Sequence, residues 1–559
     1  MTTQLTSATR SATILSAVIV VTYLAIALAQ VGESFVIDEM EFPRLAEAVA
    51  ETGRPVYYRG EESPTHLGIF HPPLYGYTLG GWIALFGFSE VTVRLFGVLL
   101  MIGTAWTGVR TVKLLDLAGR WGPPLFLGLF LLHPYVIQSA LLPDIDGTVL
   151  LFATVLLFYE IVRVARTEDA LRTSTLRLGL ALALAFASKL TSVIVLPALF
   201  VGILLGRGLK RAVVLTGLPT LVGGALFLTA WWALAAIADL PFAFPFEFTI
   251  QSGLKGGVSE AGIGEILRRL IPTQPTIYWL GILLPTMAVV GTGVLVAQWK
   301  SHPERRVALM FTLWSFGAIA FFSMISGPPF GFPKYFITAI PSMAIVGIVA
   351  VDAALGLATH RSSARWLGLA LVLVLAGLSG WRFAQVFDDE PFTWPGYLWT
   401  VALVVLSALV MASVIRQRGM WFLTLPVTAL LIATLSYNLG MAAVQAADER
   451  SVRYFPGEVG FDETVDRLQE LVGPDDSILV PKDIGSATYN RYHEEEQLFL
   501  DLDRLADVLA DEDVEYAVVR KERDYSYLVF PQVEPIIEEE MDLMEEIGDF
   551  LIYERAPET

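Results

Sequence analysis

The sequence predicts a polytopic α-helical membrane protein, with about thirteen transmembrane helices, closed by a small C-terminal extracytoplasmic α/β domain. Three observations predict this. The 559 residues are 54% hydrophobic and only 17% charged, where soluble domains are about 25% charged. Apolar runs near bilayer-crossing length, roughly twenty residues, recur from Ala12 to about residue 444. Basic residues gather in alternate loops between those runs, as they do in cytoplasmic loops.

The predicted spans are 12-31, 90-113, 121-140, 147-164, 175-189, 190-206, 212-237, 276-298, 307-326, 335-357, 365-386, 396-415 and 420-444. The first run, Ala12 to Ala29, is too long for a signal-peptide core and no small-residue cleavage site follows, so it reads as a retained helix. Arg110, Lys113 and Arg120 follow the second span, and Arg163, Arg166, Arg172 and Arg177 the fourth. Arg207, Lys210 and Arg211 follow the sixth, and Lys300, Arg305 and Arg306 the eighth. Arg361 and Arg365 follow the tenth, and Arg416 and Arg418 the twelfth. With Arg10 before the first span, these clusters share one side, which predicts a multi-pass cell-membrane protein with its N-terminus cytoplasmic. The other side receives loops 32-89, 141-146, 238-275, 327-334 and 387-395, and the C-terminal domain. Span 175-189 is short and ends at Lys189, so it pairs with 190-206 as a hairpin reaching partway through the membrane. Segment 72-88 is apolar, short and aromatic, and reads as a helix lying in the interface.

Charge divides the chain into a membrane domain, 1-445, which includes external loop 32-89, and an acidic soluble domain, 446-559. From Ala446 onward there are about 32 acidic and 10 basic residues, leaving about 24 and 28 before it. Such an acidic domain excludes nucleic acid as a partner. The strong acidity with few lysines suits a high-salt habitat and equally an ordinary acidic surface. Without Cys there is no disulfide and no thiolate chemistry. In the tail, Asp462 to Leu471 has helical patterning, and Ser477 to Pro481, Tyr516 to Val519 and Phe550 to Tyr553 read as strands. Helical stretches around 501-511 and 534-547 separate them. The domain has no phosphate-binding Gly loop and no metal-spaced His cluster, so it reads as a lid, an acceptor contact or a spacer.

Carboxylates at a membrane edge are costly to desolvate and usually have a task. Asp38 and Glu39 open the first external loop, and Asp144 and Asp146 precede the fourth span. Each pair admits two readings. One is a general base for an acceptor hydroxyl, or a divalent cation site such as Mg or Mn held by Asp38 and Asp146. The other is charge complementarity at a helix N-terminus. His66 and His71 share the loop with Arg54, Tyr57, Tyr58 and Arg59. The histidines suit a phosphate when protonated or a metal when neutral, and the Arg and Tyr side chains suit an anion or a stacked sugar, while a hydrogen-bonded, solvated interfacial loop is the plainer reading of all of them. Lys189 lies within an apolar run, where a cation needs a partner, a lipid phosphate being one candidate. Lys334 and Tyr335 end an external loop and read either as phosphate and sugar contacts or as interfacial anchors.

In their order along the chain these residues resemble the protein O-mannosyltransferase and aminoarabinose-transferase superfamily, the GT-C glycosyltransferases. The acidic pair Asp38-Glu39 follows span one, and Pro72-Pro73-Leu74-Tyr75 opens an interfacial helix. Val93-Arg94-Leu95-Phe96 starts span two, Asp144-Ile145-Asp146 precedes span four, and Ala187-Ser188-Lys189-Leu190-Thr191 follows a small-residue run. A late Pro333-Lys334-Tyr335 and a soluble external domain complete the set. Many relatives carry Lys before the Pro-Pro pair where this chain has His71, which makes phosphate binding there pH-dependent or absent. Of the two aspartates before span four, Asp146 is favoured by its spacing.

The resemblance implies inverting transfer of one mannose-like sugar from a polyprenyl- or dolichyl-phosphate carrier to an external protein, glycan or lipid. Asp38 would act as base or acceptor-orienting acid, with Glu39, Asp146 and Asp144 beside it. His71, Lys189 and Lys334 would bind the donor phosphate, and Tyr75, Tyr335, His66 and Arg59 the sugar and acceptor. No cofactor beyond a divalent cation is implied.

Two other classes compete. A transporter would line a midplane path with charge and repeat internally, and this chain has one midspan charge, Lys189. A non-catalytic receptor would tolerate loss of Asp38 and Asp146. An oligosaccharyltransferase would usually carry a Trp-Trp-Asp motif in its external domain, and none follows Ala446.

Overall fold

The structure is a computed structural model that describes residues 2–32, 35, 41–55, 71–255, 283–325, 333–358, 427–428, 430–440, 460–473, 476–488, 491–494, 502–510, 514–521 and 530–555. Asp38, Glu39, Tyr57, Tyr58, Arg59 and His66, spans 365-386 and 396-415, and the Lys334 side chain lie outside the described residues. The chain forms two compact units: residues 1–31 with 94–452, and residues 32–93 with 453–559.

The first unit is helical. Helix α1 spans Thr2–Leu28. Further along the chain, α4 is Glu90–Leu114, α5 Gly122–Leu131 and α6 Pro134–Leu141. Next come α7 (Leu151–Arg166), α8 (Leu171–Ser188), α9 (Leu196–Arg207), α10 (Leu209–Ala238) and α11 (Phe244–Lys255). Helices α12 (Leu283–Ala297), α13 (Leu309–Ile325), α14 (Ala339–Ala358) and α15 (Leu430–Gly440) follow. Helix α8 lies along α10, α7 touches α8 and α9, and α14 packs against α12 and α13.

Among the described residues, six helices are long and apolar enough to cross a membrane, or seven if a bent pair is one span. That pair fills predicted span 121-140, which bends by 65° between residues 131 and 134. The sequence predicts a single span there. Pro134 explains the break, because it cannot continue a helix from Leu131 and instead starts a new one at N1. Predicted span 175-189 lies in the 18-residue helix Leu171–Ser188, which the 3-10 helix Leu190–Val195 separates from α9.

Side-chain contacts gather the basic loops at one end of this unit. Asp169, just past α7, lies 3.5 Å from Arg163 and 3.4 Å from Arg177 of α8. Arg207 at the end of α9 donates to the Val164 carbonyl at 3.1 Å, and Arg166 donates to the Glu304 carbonyl at 3.2 Å. Asp352, late in α14, pairs with Arg305 at 2.5 Å and accepts the Ala118 N–H at 2.9 Å. The loops after predicted spans two, four, six and eight therefore meet the far end of span ten.

In the second unit, α2 (Glu41–Thr52) and α3 (Leu74–Phe86) pack as a pair. Gly80 allows the close approach, since a Cβ there would sit 2.8 Å from the Ala46 carbonyl oxygen. The Tyr77 hydroxyl donates to the Gly53 carbonyl at 3.0 Å. At 13 residues, α3 is about 20 Å long, short of the roughly 30 Å hydrocarbon core.

Among the described residues, the rest of this unit is built on a five-stranded mixed sheet of order β2-β1-β3-β5-β4. Strands β1 (Ser477–Val480), β2 (Arg491–Glu494) and β3 (Val514–Arg520) run parallel, and β4 (Met541–Ile547) and β5 (Phe550–Arg555) are antiparallel. Helices α16 (Phe461–Leu471), α17 (Lys482–Thr488), α18 (Leu502–Leu509) and α19 (Phe530–Glu540) accompany it. Leu479, Leu505, Ala517, Ile537 and Tyr553 share its core.

Two readings of the tail are corrected. Helix 534-547 ends at Glu540, and Met541–Ile547 is edge strand β4. Its acidic residues favour a helix locally, but the Gly548-Asp549 turn, with Gly548 at φ +57, folds it onto β5. Arg467 holds Glu545 at 2.9 Å and Lys521 holds Glu546. Strand β2 was missed because Arg-Tyr-His-Glu carries little apolar signal.

Candidate active site

The end of the first unit opposite the basic loops carries a buried ion pair. Asp146 opens a five-residue π-helical turn, Asp146–Leu150, that leads into α7. The Leu150 N–H reaches back to the Ile145 carbonyl at 3.0 Å. Such turns displace side chains from ordinary helical register and recur at functional sites. Gly147 is required here, because a Cβ would lie 2.4 Å from the Ser139 carbonyl oxygen of α6.

Lys189 ends α8 in an extended conformation before the short 3-10 helix Leu190–Val195. Its Nζ lies 2.7 Å from Asp146 Oδ2, and the two side chains are only 5% and 2% exposed. Tyr335, in the 3-10 turn Pro333–Phe336 before α14, presents its ring face to Lys189 Nζ at 4.5 Å from the centroid. Phe322 of α13 stacks on Tyr335 at 5.4 Å. A cation over a desolvated ring face gains about 2 kcal/mol. Taking both ions out of water costs several kcal/mol each, and only close pairing with further polar contacts offsets it.

Asp144 supports this arrangement from the preceding turn. Its Oδ1 accepts the Asp146 N–H at 3.2 Å, and its carbonyl accepts the Thr148 hydroxyl. Both aspartates are buried. Helices α7, α8 and α14 each run from this cluster to the basic loops. The 16 residues of α7 set that separation at about 24 Å.

Residues 70–234 match the family model described as dolichyl-phosphate-mannose-protein mannosyltransferase. The match spans His71, Tyr75, Asp144, Asp146 and Lys189. The structure is similar to that of ArnT from Cupriavidus metallidurans bound to undecaprenyl phosphate, with a TM-score of 0.59, 15% identity and 98% of each chain covered. Against the same protein in its apo state the TM-score is 0.60, at 16% identity and 98% of each chain. The chain has the GT-C fold. Comparison with curated protein sequences returns no significant match.

Within this GT-C framework, the structure joins three residues the sequence had treated separately, Asp146, Lys189 and Tyr335. His71 and Tyr75 lie in the second unit. Tyr75 is buried and meets Phe42 edge-on at 5.6 Å, so its ring is part of the α2–α3 packing. The suggested cation site pairs Asp38, which is outside the described residues, with Asp146, whose Oδ2 meets an ammonium.

Two residues escaped the sequence reading. His133 caps α6, its Nδ1 accepting the Tyr135 N–H at 3.2 Å, so that nitrogen carries a lone pair. Tyr135 is fully buried, with its hydroxyl near the carboxylates of Asp144 and Asp146 and the backbone of Phe336 and Ile337. The available signal was the His133-Pro134 pair interrupting an apolar run.

Proposed function

We propose that this chain transfers a single mannose-like sugar, with inversion, from a polyprenyl- or dolichyl-phosphate carrier to an extracytoplasmic protein, glycan or lipid. One observation carries the reading: the buried Asp146–Lys189 pair on the face of Tyr335, at the end opposite the basic loops. With those loops cytoplasmic, this end meets the external water, where a lipid-borne sugar and a hydrophilic acceptor come together. The family match and the fold shared with ArnT support the same class.

In the proposed reaction the acceptor hydroxyl oxygen attacks the anomeric carbon. The bond from that carbon to the phosphate oxygen breaks, and polyprenyl phosphate leaves. Asp38 takes the hydroxyl proton or orients the acceptor. The leaving phosphate gains charge, which fixed cations stabilise. An ammonium has three donors, and Lys189 directs one to Asp146, so the same side chain serves carboxylate and phosphate. Lys334, beside Tyr335 in sequence, and His71 would add positive charge. Glu39 and Asp144 keep the site acidic toward the sugar hydroxyls.

The test is transfer of radiolabelled sugar from polyprenyl-phosphate donors in membranes, comparing the parent with Asp38→Asn, Asp146→Asn and Lys189→Met. Transfer by the parent and its loss in folded Asp38→Asn supports the assignment. Transfer that survives Asp38→Asn and fails in Asp146→Asn moves the base to Asp146. Absence of transfer from any donor rejects the reading in favour of a transporter or receptor.

A further inference from the structure

At the basic end of the first unit, the last turns of α4 carry cations that face away from every protein acceptor. The Arg110 guanidinium lies over the Trp106 ring, one turn earlier on α4, at 4.7 Å from its centroid. It also lies over the Tyr159 ring of α7, at 4.9 Å. Tyr159 is buried, whereas Trp106 is 61% exposed. Arg110 is itself exposed, and among the described residues it makes no hydrogen bond and no ion pair. Glu160, next to Tyr159, attracts it from beyond bonding distance and lies 4.0 Å from Arg163. A guanidinium held by its faces keeps its in-plane N–H donors for another acceptor.

Neighbouring basic side chains differ. Asp169 holds Arg163 and Arg177, Asp352 holds Arg305, and Arg306 donates to the Trp299 carbonyl at 2.8 Å. Lys113, one turn beyond Arg110, is exposed and has no carboxylate within ion-pair distance among the described residues. Asp116, next on the chain, is exposed and pairs with neither cation. Depth is set by tryptophan, which gathers where the hydrocarbon core meets the headgroups. Trp106, Trp121 and Trp299 each carry an arginine on the ring at this end, Arg110, Arg120 and Arg306. The open donors of Arg110 therefore sit at the level of lipid phosphates, beside an aromatic ring turned outward from the bundle.

We infer that Arg110 and Lys113 form a binding site for the phosphate of an anionic phospholipid, whose acyl chain lies against Trp106. With the basic loops cytoplasmic, the lipid belongs to the inner leaflet. The exposed ring favours a lipid over free phosphate, because only the lipid brings apolar surface to cover it. The second cation favours an anionic headgroup, because a zwitterionic one would set its own ammonium against Lys113. The site goes beyond the transferase reading and does not need it, since the Asp146–Lys189 pair lies at the opposite end of α7.

The experiment uses the purified full chain in mild detergent, titrated with phosphatidylglycerol, phosphatidylcholine or inorganic phosphate. Binding is read by native mass spectrometry and by thermal melting. Phosphatidylglycerol should bind the parent more tightly than phosphatidylcholine and raise its Tm, and inorganic phosphate should leave Tm unchanged. Arg110→Gln should weaken phosphatidylglycerol binding on the order of tenfold to a hundredfold, as expected for losing a hydrogen bond to a charged group. Arg110→Lys should fall between, keeping the charge without the stacked fork. Arg172→Gln removes another exposed cation from the same end and should match the parent. Parent-like affinity in Arg110→Gln overturns the inference. An equal loss in Arg172→Gln overturns it in favour of diffuse attraction to basic loops. Equal affinity for phosphatidylcholine, or binding of inorganic phosphate as tight as that of the lipid, overturns the anionic phospholipid as occupant. If Arg110→Gln does not fold, Arg110→Lys decides, and parent-like affinity there overturns the site.

Discussion

Lys189→Met exposes how much the buried pair contributes and whether it acts as a unit. At the observed 2.7 Å, two unit charges attract by about 6 kcal/mol at an effective dielectric of about 20. Desolvation of both ions offsets much of that, so the net value of the pair is small while the cost of orphaning one member is large. Removing one partner of a buried pair costs about 3–5 kcal/mol. Lys189→Met leaves the Asp146 carboxylate buried without its cation. Asp146→Asn leaves the ammonium, partly retained by the Tyr335 ring face. The double variant removes both charges and keeps similar volumes, so it should lie within about 1 kcal/mol of the parent. The cycle should then return a coupling of about 5 kcal/mol or more. The assay is thermal and denaturant unfolding in detergent, followed by Trp fluorescence, with each single variant melting below the double. Independent costs would instead add to about 6–10 kcal/mol in the double variant, and that result would refute the reasoning. Transfer should be lost in all three variants, which separates the stability role from the chemical one.

Three further outcomes are expected. Gly147→Ala forces a methyl group toward the Ser139 carbonyl oxygen, 2.4 Å away, and should cost about 1–3 kcal/mol of stability with a matching loss of transfer, measured by melting and radiolabel assay. Burial pushes the Tyr77 phenol above its ordinary value, and Arg54 pulls it partly back. A raised value means this contribution is complete below about pH 10 and is lost as pH rises through the raised pKa. Hydrogen exchange of the α2–α3 pair should therefore quicken in alkali. Tyr77→Phe should lose about 0.5–1.5 kcal/mol at neutral pH and no longer respond to alkali. With about 32 acidic and 10 basic residues after Ala446, raising salt from about 0.15 M to 1 M, which shortens the screening length from about 8 Å to 3 Å, should raise the melting temperature of the sheet followed by circular dichroism. A flat or falling melting temperature would show that the acidic surface does not oppose folding.

Local pattern made much of this architecture legible. Apolar runs gave the main helices because bilayer length is a one-dimensional constraint. Alternating basic loops anticipated contacts such as Arg163–Asp169 and Arg305–Asp352 at one end. The runs at Ser477, Tyr516 and Phe550 gave β1, β3 and β5, since buried central strands are apolar on both faces. Strand β4 was hidden because its pairing with β5 overrides the helical preference of Glu545 and Glu546. At the site, Asp146, Lys189 and Tyr335 could each be singled out as polar groups in apolar surroundings. Their convergence could not be, because 43 residues separate the first two and nothing local encodes the packing of α7 against α8. Tyr135 was invisible for a related reason, as an aromatic in an apolar run reads as core until a carboxylate is found beside it.

The second unit is assembled from chain segments that the ribosome makes far apart in time. Residues 32–93 emerge early, but the strands and helices they join begin only at residue 453. At roughly 5–20 residues per second, the early segment waits on the order of 20–70 s while the intervening helices enter the membrane. Until then the Arg44 guanidinium of α2 has no Ala487 carbonyl of α17 to meet. Synthesis order thus leaves α2 without its α17 partner while the nascent chain is still being inserted.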